Sequence, residues 1–338
     1  MVRTRIYIAL IASICFHFSE AVLAPTVKLN DGTDMPALAL GTWLGFTITN
    51  NTEVRIQPTG HEVEDAVTWA IECGYRHIDT AYIYRVEDQV GRAIAKCIER
   101  GIVKREDLFI TTKLWNDRHA QDAVVPALRE SLNSLNLSYV DLYLIHWPVG
   151  QFENKTYDTT DYLETYRGML QAKQLGLTRS VGVSNFNQQQ IERIIKEGLD
   201  KPAVLQVELN LNLQQPSLLS YCKDHNIVVT GYTPFGSLFY SKAKAGAPPP
   251  RVDDPSLVDI ANKYNKTVPQ IALRYLVELG VVPLPKSLTK TRIQQNIEIF
   301  DFQLTQQEKE LLKSFDRNHR TISQLKWLDH PYYPFEKN

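Results

Sequence analysis

Short apolar runs of strand length alternate with helix-length amphipathic segments along almost the whole chain. This beat constrains the fold more than any other feature of the sequence. Strands are expected at Ala37–Gly41, Tyr75–Ile78, Leu108–Thr112, Val140–Ile145, Ser180–Val183, Ala203–Val207, Ile227–Gly231 and Val281–Val282. Helices are expected at Glu62–Cys73, Glu87–Glu99, Ala120–Leu135, Asp161–Leu175, Gln188–Lys196 (with Asn187 as its cap), Pro216–Asp224, Ser256–Lys263, Val268–Glu278 and Lys290–Ile299, with a further one at Gln306–Phe315. The first helix shows the pattern plainly, with Val63, Ala66, Val67, Ala70 and Ile71 on one face. Apolar strands joined by helices imply a parallel sheet covered by helices. Eight such units without a second domain favour a closed (β/α)8 barrel, a TIM barrel, over an open doubly wound sheet.

Thr26 to Met35, centred on Asn30-Asp31-Gly32, reads as a hairpin ahead of the first strand. Thr47 to Thr59 is mostly polar, carries no motif, and reads as an extended first loop. The start of the chain differs from the rest. Arg3 and Arg5 precede an apolar run from Ile6 to Phe18, and small residues follow at Ser19 and Ala21. This is the layout of a secretory signal peptide, 1–21, leaving a barrel domain from 22 to 338 that is exported from the cell and no longer membrane-bound. Cleavage after Ala24 is the alternative. Asn-x-Ser/Thr tripeptides at Asn50, Asn136, Asn154 and Asn265 permit glycosylation. Cys73, Cys97 and Cys222 are odd in number and lack C-x-x-C spacing, so buried free thiols are expected rather than a disulfide framework. With 37 basic and 38 acidic residues the net charge is −1, which gives no general attraction to nucleic acid.

In such a barrel the chemistry sits where the strands run out at their C-terminal ends. There the chain places Asp79, then Tyr84 in the following loop, then Lys113 and His146, and in the later strands Ser184, Asn185, Gln206 and Tyr232. A carbonyl that accepts a hydride develops negative charge on oxygen and needs an acid. A phenol titrates near pH 10, and a neighbouring ammonium is expected to lower that value. Lys113 can supply the ammonium, Asp79 can hold it, and His146 can orient the substrate oxygen. Taken singly, each of these side chains is more readily a cap, a surface charge or a core residue; the joint spacing carries the reading. His77 and Asp79 have no further ligand at metal spacing, so no metal is expected. Phe186 interrupts what would be a serine nucleophile elbow, there is no Gly-x-Gly-x-x-Gly, and the paired carboxylates of a glycan hydrolase are missing.

Three ordered motifs give a resemblance. Gly74-Tyr75-Arg76-His77-Ile78-Asp79-Thr80-Ala81 with Glu87 and Val90-Gly91 is the first. Met169 with Arg179 to Phe186 is the second, and Leu284-Pro285-Lys286-Ser287 with Arg292, Gln295 and Asn296 is the third. In these the chain resembles the aldo-keto reductase family from about Thr26 onward. The resemblance implies a catalytic tetrad of Asp79, Tyr84, Lys113 and His146, with the histidine pointing to carbonyl rather than carbon-carbon double-bond reduction. It implies NADPH as cofactor, with Ser184, Asn185 and Gln206 on the carboxamide and Tyr232 stacked on the nicotinamide. Lys286, Ser287 and Arg292 would meet the 2′-phosphate, with Gln295 and Asn296 near the adenine and Thr42, Trp43, Thr233, Phe235 and Ser237 completing the site. Thr233 and Gln295 depart mildly from the usual Ser and Glu.

The substrate expected is a small hydrophobic carbonyl compound, walled by Trp43, Trp115, Trp147 and, from a C-terminal loop folded over the active site, Trp327. Within the family, the secretory start most resembles secreted insect enzymes that reduce 3-dehydroecdysone to ecdysone. A general aldehyde and ketone reductase, or a non-catalytic NADPH-binding relative, is the alternative, and a monomer is expected.

Overall fold

Parallel strands joined by helical crossovers are covered on both faces, and here runs such as Val140–Ile145 are buried at every position. In the computed structural model, which describes residues 23–49 and 52–336, eight such strands form one sheet. They are β1 (Leu40–Gly41), β2 (His77–Asp79), β3 (Phe109–Leu114), β4 (Val140–Ile145), β5 (Thr178–Ser184), β6 (Val204–Glu208), β7 (Val228–Tyr232) and β8 (Val281–Pro283). Each pairs with its neighbour in chain order and every pairing is parallel. The ends meet: the Ala39 amide donates to the Pro283 carbonyl at 3.2 Å and the Gly41 amide to the Pro285 carbonyl at 3.0 Å, closing the sheet into a barrel. The proposed leader and Asn50 lie outside the described residues.

The outer helices are α1 (Glu62–Glu72), α2 (Glu87–Glu99), α3 (Gln121–Leu135), α4 (Tyr162–Gln174), α5 (Gln188–Lys196), α6 (Pro216–Asp224), α7 (Pro255–Lys263), α8 (Val268–Glu278), α9 (Lys290–Ile297) and α10 (Gln306–Lys313). Their starts are chemically set. Asn187 and Gln190 form a reciprocal capping box on α5, Thr267 and Gln270 do so on α8, and Thr305 and Glu308 on α10. Pro216 and Pro255 sit in the first turn, where a missing N–H costs nothing.

Hairpins close or flank both ends of the barrel. Thr26–Lys28 pairs antiparallel with Asp34–Pro36, as the sequence suggests, and carries Leu29 and Met35 into a buried cluster with Phe109, Leu142, Leu144, Val204 and Val282. That plugs the end where the strands begin. At the opposite end, Thr47 to Thr59 is not simply an extended loop: Phe46–Thr49 pairs antiparallel with Thr52–Arg55. In the sequence this segment shows no sustained apolar alternation of the kind that marks a strand. Cys73, Cys97 and Cys222 are free thiols, with Cys73 only half-buried. Among the described residues no helix is long and apolar enough to cross a membrane.

Candidate active site

Asp79 ends β2 and Lys113 lies on β3, and the two meet beneath the barrel mouth. The Lys113 ammonium stands 2.6 Å from Asp79 Oδ1 and donates to the Thr80 carbonyl at 2.9 Å, both side chains being buried. The other carboxylate oxygen accepts from the Gln206 amide at 2.9 Å. The Asp79 carbonyl accepts from the Thr42 hydroxyl at 3.0 Å and the Thr42 amide at 3.1 Å. Asp79 is therefore fixed from β1, β3 and β6 at once. Burial pulls the Lys113 ammonium below its ordinary range, against the opposing pull of Asp79.

Tyr84 closes a single 3-10 turn, Tyr82–Tyr84, which the left-handed Arg85 (φ 59°) terminates. The turn brings the phenol ring over Lys113, 5.1 Å from Nζ to ring centroid, and edge-on to His146, with centroids 5.7 Å apart. The expected lowering of the tyrosine pKa does not occur. Desolvation and then the Asp79 carboxylate push the half-buried phenol well above its ordinary range, with Arg55 offsetting only part. The Lys113 ammonium, paired with Asp79 at 2.6 Å, does not outweigh that desolvation. The phenol thus keeps its proton. His146 is pushed the other way: burial, then Lys113 and Arg55, hold its pKa far below the ordinary value, so the imidazole is neutral. Its Nδ1 is buried with no hydrogen-bond partner among the described residues. A protonated phenol, a neutral imidazole with a free nitrogen and a clamped cation can together receive a carbonyl oxygen and give it a proton.

The later strands form one polar edge. Asn185, left-handed at φ 61°, donates to the His146 carbonyl at 2.9 Å and accepts from the Tyr232 hydroxyl at 2.7 Å. Ser184 and Gln206 flank it, both buried. Thr233, Phe235 and Ser237 lie on the turn after β7, where Thr233 and Gly236 are left-handed. Asn210 fills the space a side chain at Gly236 would need.

Lys286, Ser287 and Arg292 gather around the start of α9. That helix has no side-chain cap, so its first N–H groups are open to an anion. Lys286 is depressed by burial and by Lys242, and Arg292 is exposed, while Asn296 is buried and Gln295 exposed one turn on. Unrelieved positive charge at an uncapped helix start suits a phosphate.

The four tryptophans divide into two layers. Trp43 lies 6.4 Å from Tyr84 and Trp115 5.2 Å from His146, ring to ring, and both keep exposed surface. Trp147 and Trp327 are 4% and 0% exposed, so in this conformation they back the wall rather than face the mouth. Trp327 packs against Trp115 at 6.2 Å and Trp147 at 5.2 Å. The tail that carries it is tied down: Glu208, at the end of β6, accepts from the amides of Thr321 and Ile322 at 2.9 Å each. Three further residues bear on the site without a role having been read for them from sequence, although Glu87 is part of the first motif. Glu208 anchors the tail, and Glu87 accepts from Thr112 at 2.6 Å close enough to act on Lys113. Arg55 acts on both Tyr84 and His146.

The model described as "Aldo/keto reductase family" matches residues 37–317. Aldo-keto reductase AKR2E4 of Bombyx mori is 51% identical over 314 residues, spanning 93% of this chain and 99% of that protein. Its crystal structure in complex with NADP matches with a TM-score of 0.88, covering 93% of this chain and 100% of that one. The aldo-keto reductase AKR2E5, also of the silkworm, was solved complexed with NADPH; it is 43% identical, with a TM-score of 0.89 and 93% and 94% coverage. Aldo-keto reductase family 1 member C18 of Rattus norvegicus is 41% identical over 322 residues, 91% of this chain and 97% of that protein.

Proposed function

This chain belongs to the aldo/keto reductase family of NADP-dependent oxidoreductases that reduce carbonyl compounds, and on that footing we propose that its substrate is an apolar ketone of steroid size, such as 3-dehydroecdysone. The observation that carries the chemistry is the Lys113–Asp79 pair, 2.6 Å apart, lying beneath a protonated Tyr84 and a neutral His146. When bound, NADPH supplies the hydride. Ser184, Asn185 and Gln206 would hold the carboxamide edge of its nicotinamide, with the Tyr232 ring beside it. Lys286, Ser287 and Arg292 would take the 2′-phosphate. The residues fit that group because Lys286 and Arg292 have no carboxylate partner among the described residues and the helix start lacks a side-chain cap.

Tyr84 gives its proton to the carbonyl oxygen as negative charge develops. Lys113 then faces a phenolate instead of a phenol, and its charge stabilises that product through the short path over the ring. Asp79 acts by keeping the ammonium in place. His146 carries no charge, so it orients the oxygen by hydrogen bonding without competing for the proton. Trp43 and Trp115 offer apolar faces on either side of these groups, which supports an apolar substrate. NADPH consumption across a panel of steroid ketones and small aldehydes tests this. Preference for small polar aldehydes would point to a general aldehyde and ketone reductase.

We also propose that the chain acts as a monomer and is exported, its leader removed at Ala21 or Ala24. The support is Arg3, Arg5 and the apolar run to Phe18. N-terminal sequencing of protein from the medium of expressing cells tests it; an intact Met1 on material confined to the cytosol would reject export.

A further inference from the structure

Three arginines among the described residues have a buried side-chain nitrogen that makes no hydrogen bond: Arg55, Arg105 and Arg320. Two of them are compensated. Arg105 stands 2.7 Å from the buried Asp141. Arg320 stands 3.8 Å from Glu336 and stacks 3.7 Å from the centroid of Phe335. Arg55 pairs with no carboxylate among the described residues. The ionisable groups acting on it are Arg85, which repels it, and the Tyr84 hydroxyl.

Its place in the fold aims it at the site. Arg55 ends the hairpin that follows β1, directly opposite Phe46. Opposed residues in an antiparallel pair project from the same face. Phe46 packs edge-on against Trp43 at 5.2 Å, and Trp43 leans on Tyr84 at 6.4 Å. The guanidinium therefore overhangs the mouth on the Trp43 side, near enough for its charge to act on both Tyr84 and His146. An N–H held out of water without an acceptor is unfavourable, and a second guanidinium nearby adds repulsion. An anion in the mouth would relieve both. A carboxylate or similar oxyanion suits the planar fork of a guanidinium.

We propose that Arg55 is a specificity residue of the carbonyl site, favouring, among the apolar carbonyl compounds that the tryptophan walls admit, those that also carry an oxyanion at the end remote from the carbonyl. This rests on the carbonyl-reducing reading above. It adds to the apolar walls a polar end point, reached when the carbonyl sits at Tyr84 and the body of the substrate lies along Trp43.

Two measurements test it on the full enzyme. The first compares kcat/KM for para-carboxybenzaldehyde, its methyl ester and benzaldehyde para-sulfonate, in the wild type and in Arg55→Gln and Arg55→Lys. The ratio of each anion to the ester should fall about tenfold or more in Arg55→Gln, and less in Arg55→Lys, which keeps the charge but loses the fork. A ratio unchanged in Arg55→Gln would overturn the proposal. A fall for the carboxylate alone would assign the site to carboxylates, and a fall for both to oxyanions in general. The second measurement does not need turnover: calorimetric affinity of para-hydroxymethylbenzoate for the enzyme saturated with NADP+. Arg55→Gln should weaken it about tenfold, and equal affinity would overturn the proposal. If the wild type reduces neither these aldehydes nor any steroid ketone of the panel above, the carbonyl reading fails while this binding comparison still decides the role of Arg55.

Discussion

At the scale of single residues, the site works by setting the charge of each group through its neighbours. Lys113 is buried, and Asp79 at 2.6 Å opposes the loss of its charge; Tyr84 is held protonated; His146 is held neutral. Replacing Tyr84 by Phe removes the proton donor and leaves the ring packing. Carbonyl reduction should fall about 10²–10⁴-fold while NADPH affinity, read by quenching of protein fluorescence, stays close to wild type. Turnover near the wild-type rate would mean that another group supplies the proton. Arg292 is the complementary case. Exposed on the first turn of an uncapped helix, it should contribute about 1.5–3 kcal/mol to binding a phosphate that NADH lacks. Arg292→Ala should therefore weaken NADPH far more than NADH in paired titrations, and an equal loss for both would remove it from phosphate recognition. The spacing of Asp79, Tyr84, Lys113 and His146 made that cluster legible in the sequence. Arg55 was not legible, because nothing in its own neighbourhood marks a functional cation. Its importance comes from a hairpin register that brings it opposite Phe46.

At the scale of elements, helices were easier to place than strands. Glu87–Glu99, Gln188–Lys196, Pro216–Asp224 and Val268–Glu278 run over the same residues in structure as in sequence pattern. Several strands instead start or end later than their apolar runs: β2 extends to Asp79, β3 to Leu114, β5 to Ser184 and β7 to Tyr232. The reason is functional. The hydrogen-bonded ladder continues into polar residues at the mouth, and apolar periodicity stops where those residues begin. Helix packing carries its own testable constraint at Gly91. A Cβ there would press into the backbone of Leu135, at the end of α3, with the carbonyl carbon only 2.7 Å away. Ala is favoured over Gly in a helix interior by about 1 kcal/mol, but overpacking costs about 1–3 kcal/mol, and here the obstacle is backbone that cannot rotate aside. Gly91→Ala should therefore destabilise the protein in urea unfolding, and a stabilised variant would show that α2 and α3 can separate without loss.

At the scale of the whole molecule, the barrel encloses polar groups along its length, so its stability is coupled to pH through buried imidazoles. His77 lies between strands, 2.9 Å from the Thr111 hydroxyl and edge-on to Phe109 at 4.7 Å. Burial pushes its pKa down to about 4, and that of the buried His119 down to about 4 as well. His146 is shifted in the same direction. In the unfolded chain these rings titrate near pH 6.5. Between that value and about 4 the unfolded state binds more protons than the native state, so stability rises with pH across the window and falls on acidification. Below about 4 the native His77 and His119 protonate too, and their contribution to the slope ends. By that point each has removed on the order of 3 kcal/mol. Carboxylates act later: Glu308, held down to about 2 chiefly by its hydrogen bonds with Lys263 and the Thr305 amide against opposing burial, loses its stabilising effect only as pH falls from its ordinary range near 4.5 toward that value. The expected profile is a plateau near neutrality and a steep decline that begins near pH 6.5, ahead of carboxylate titration. Urea unfolding of the wild type through this range reads it directly, and His77→Asn, which retains a polar partner for Thr111 without a titrating group, should flatten the decline. A wild-type curve that stays level until carboxylates titrate would mean that the imidazoles are not held neutral inside the barrel.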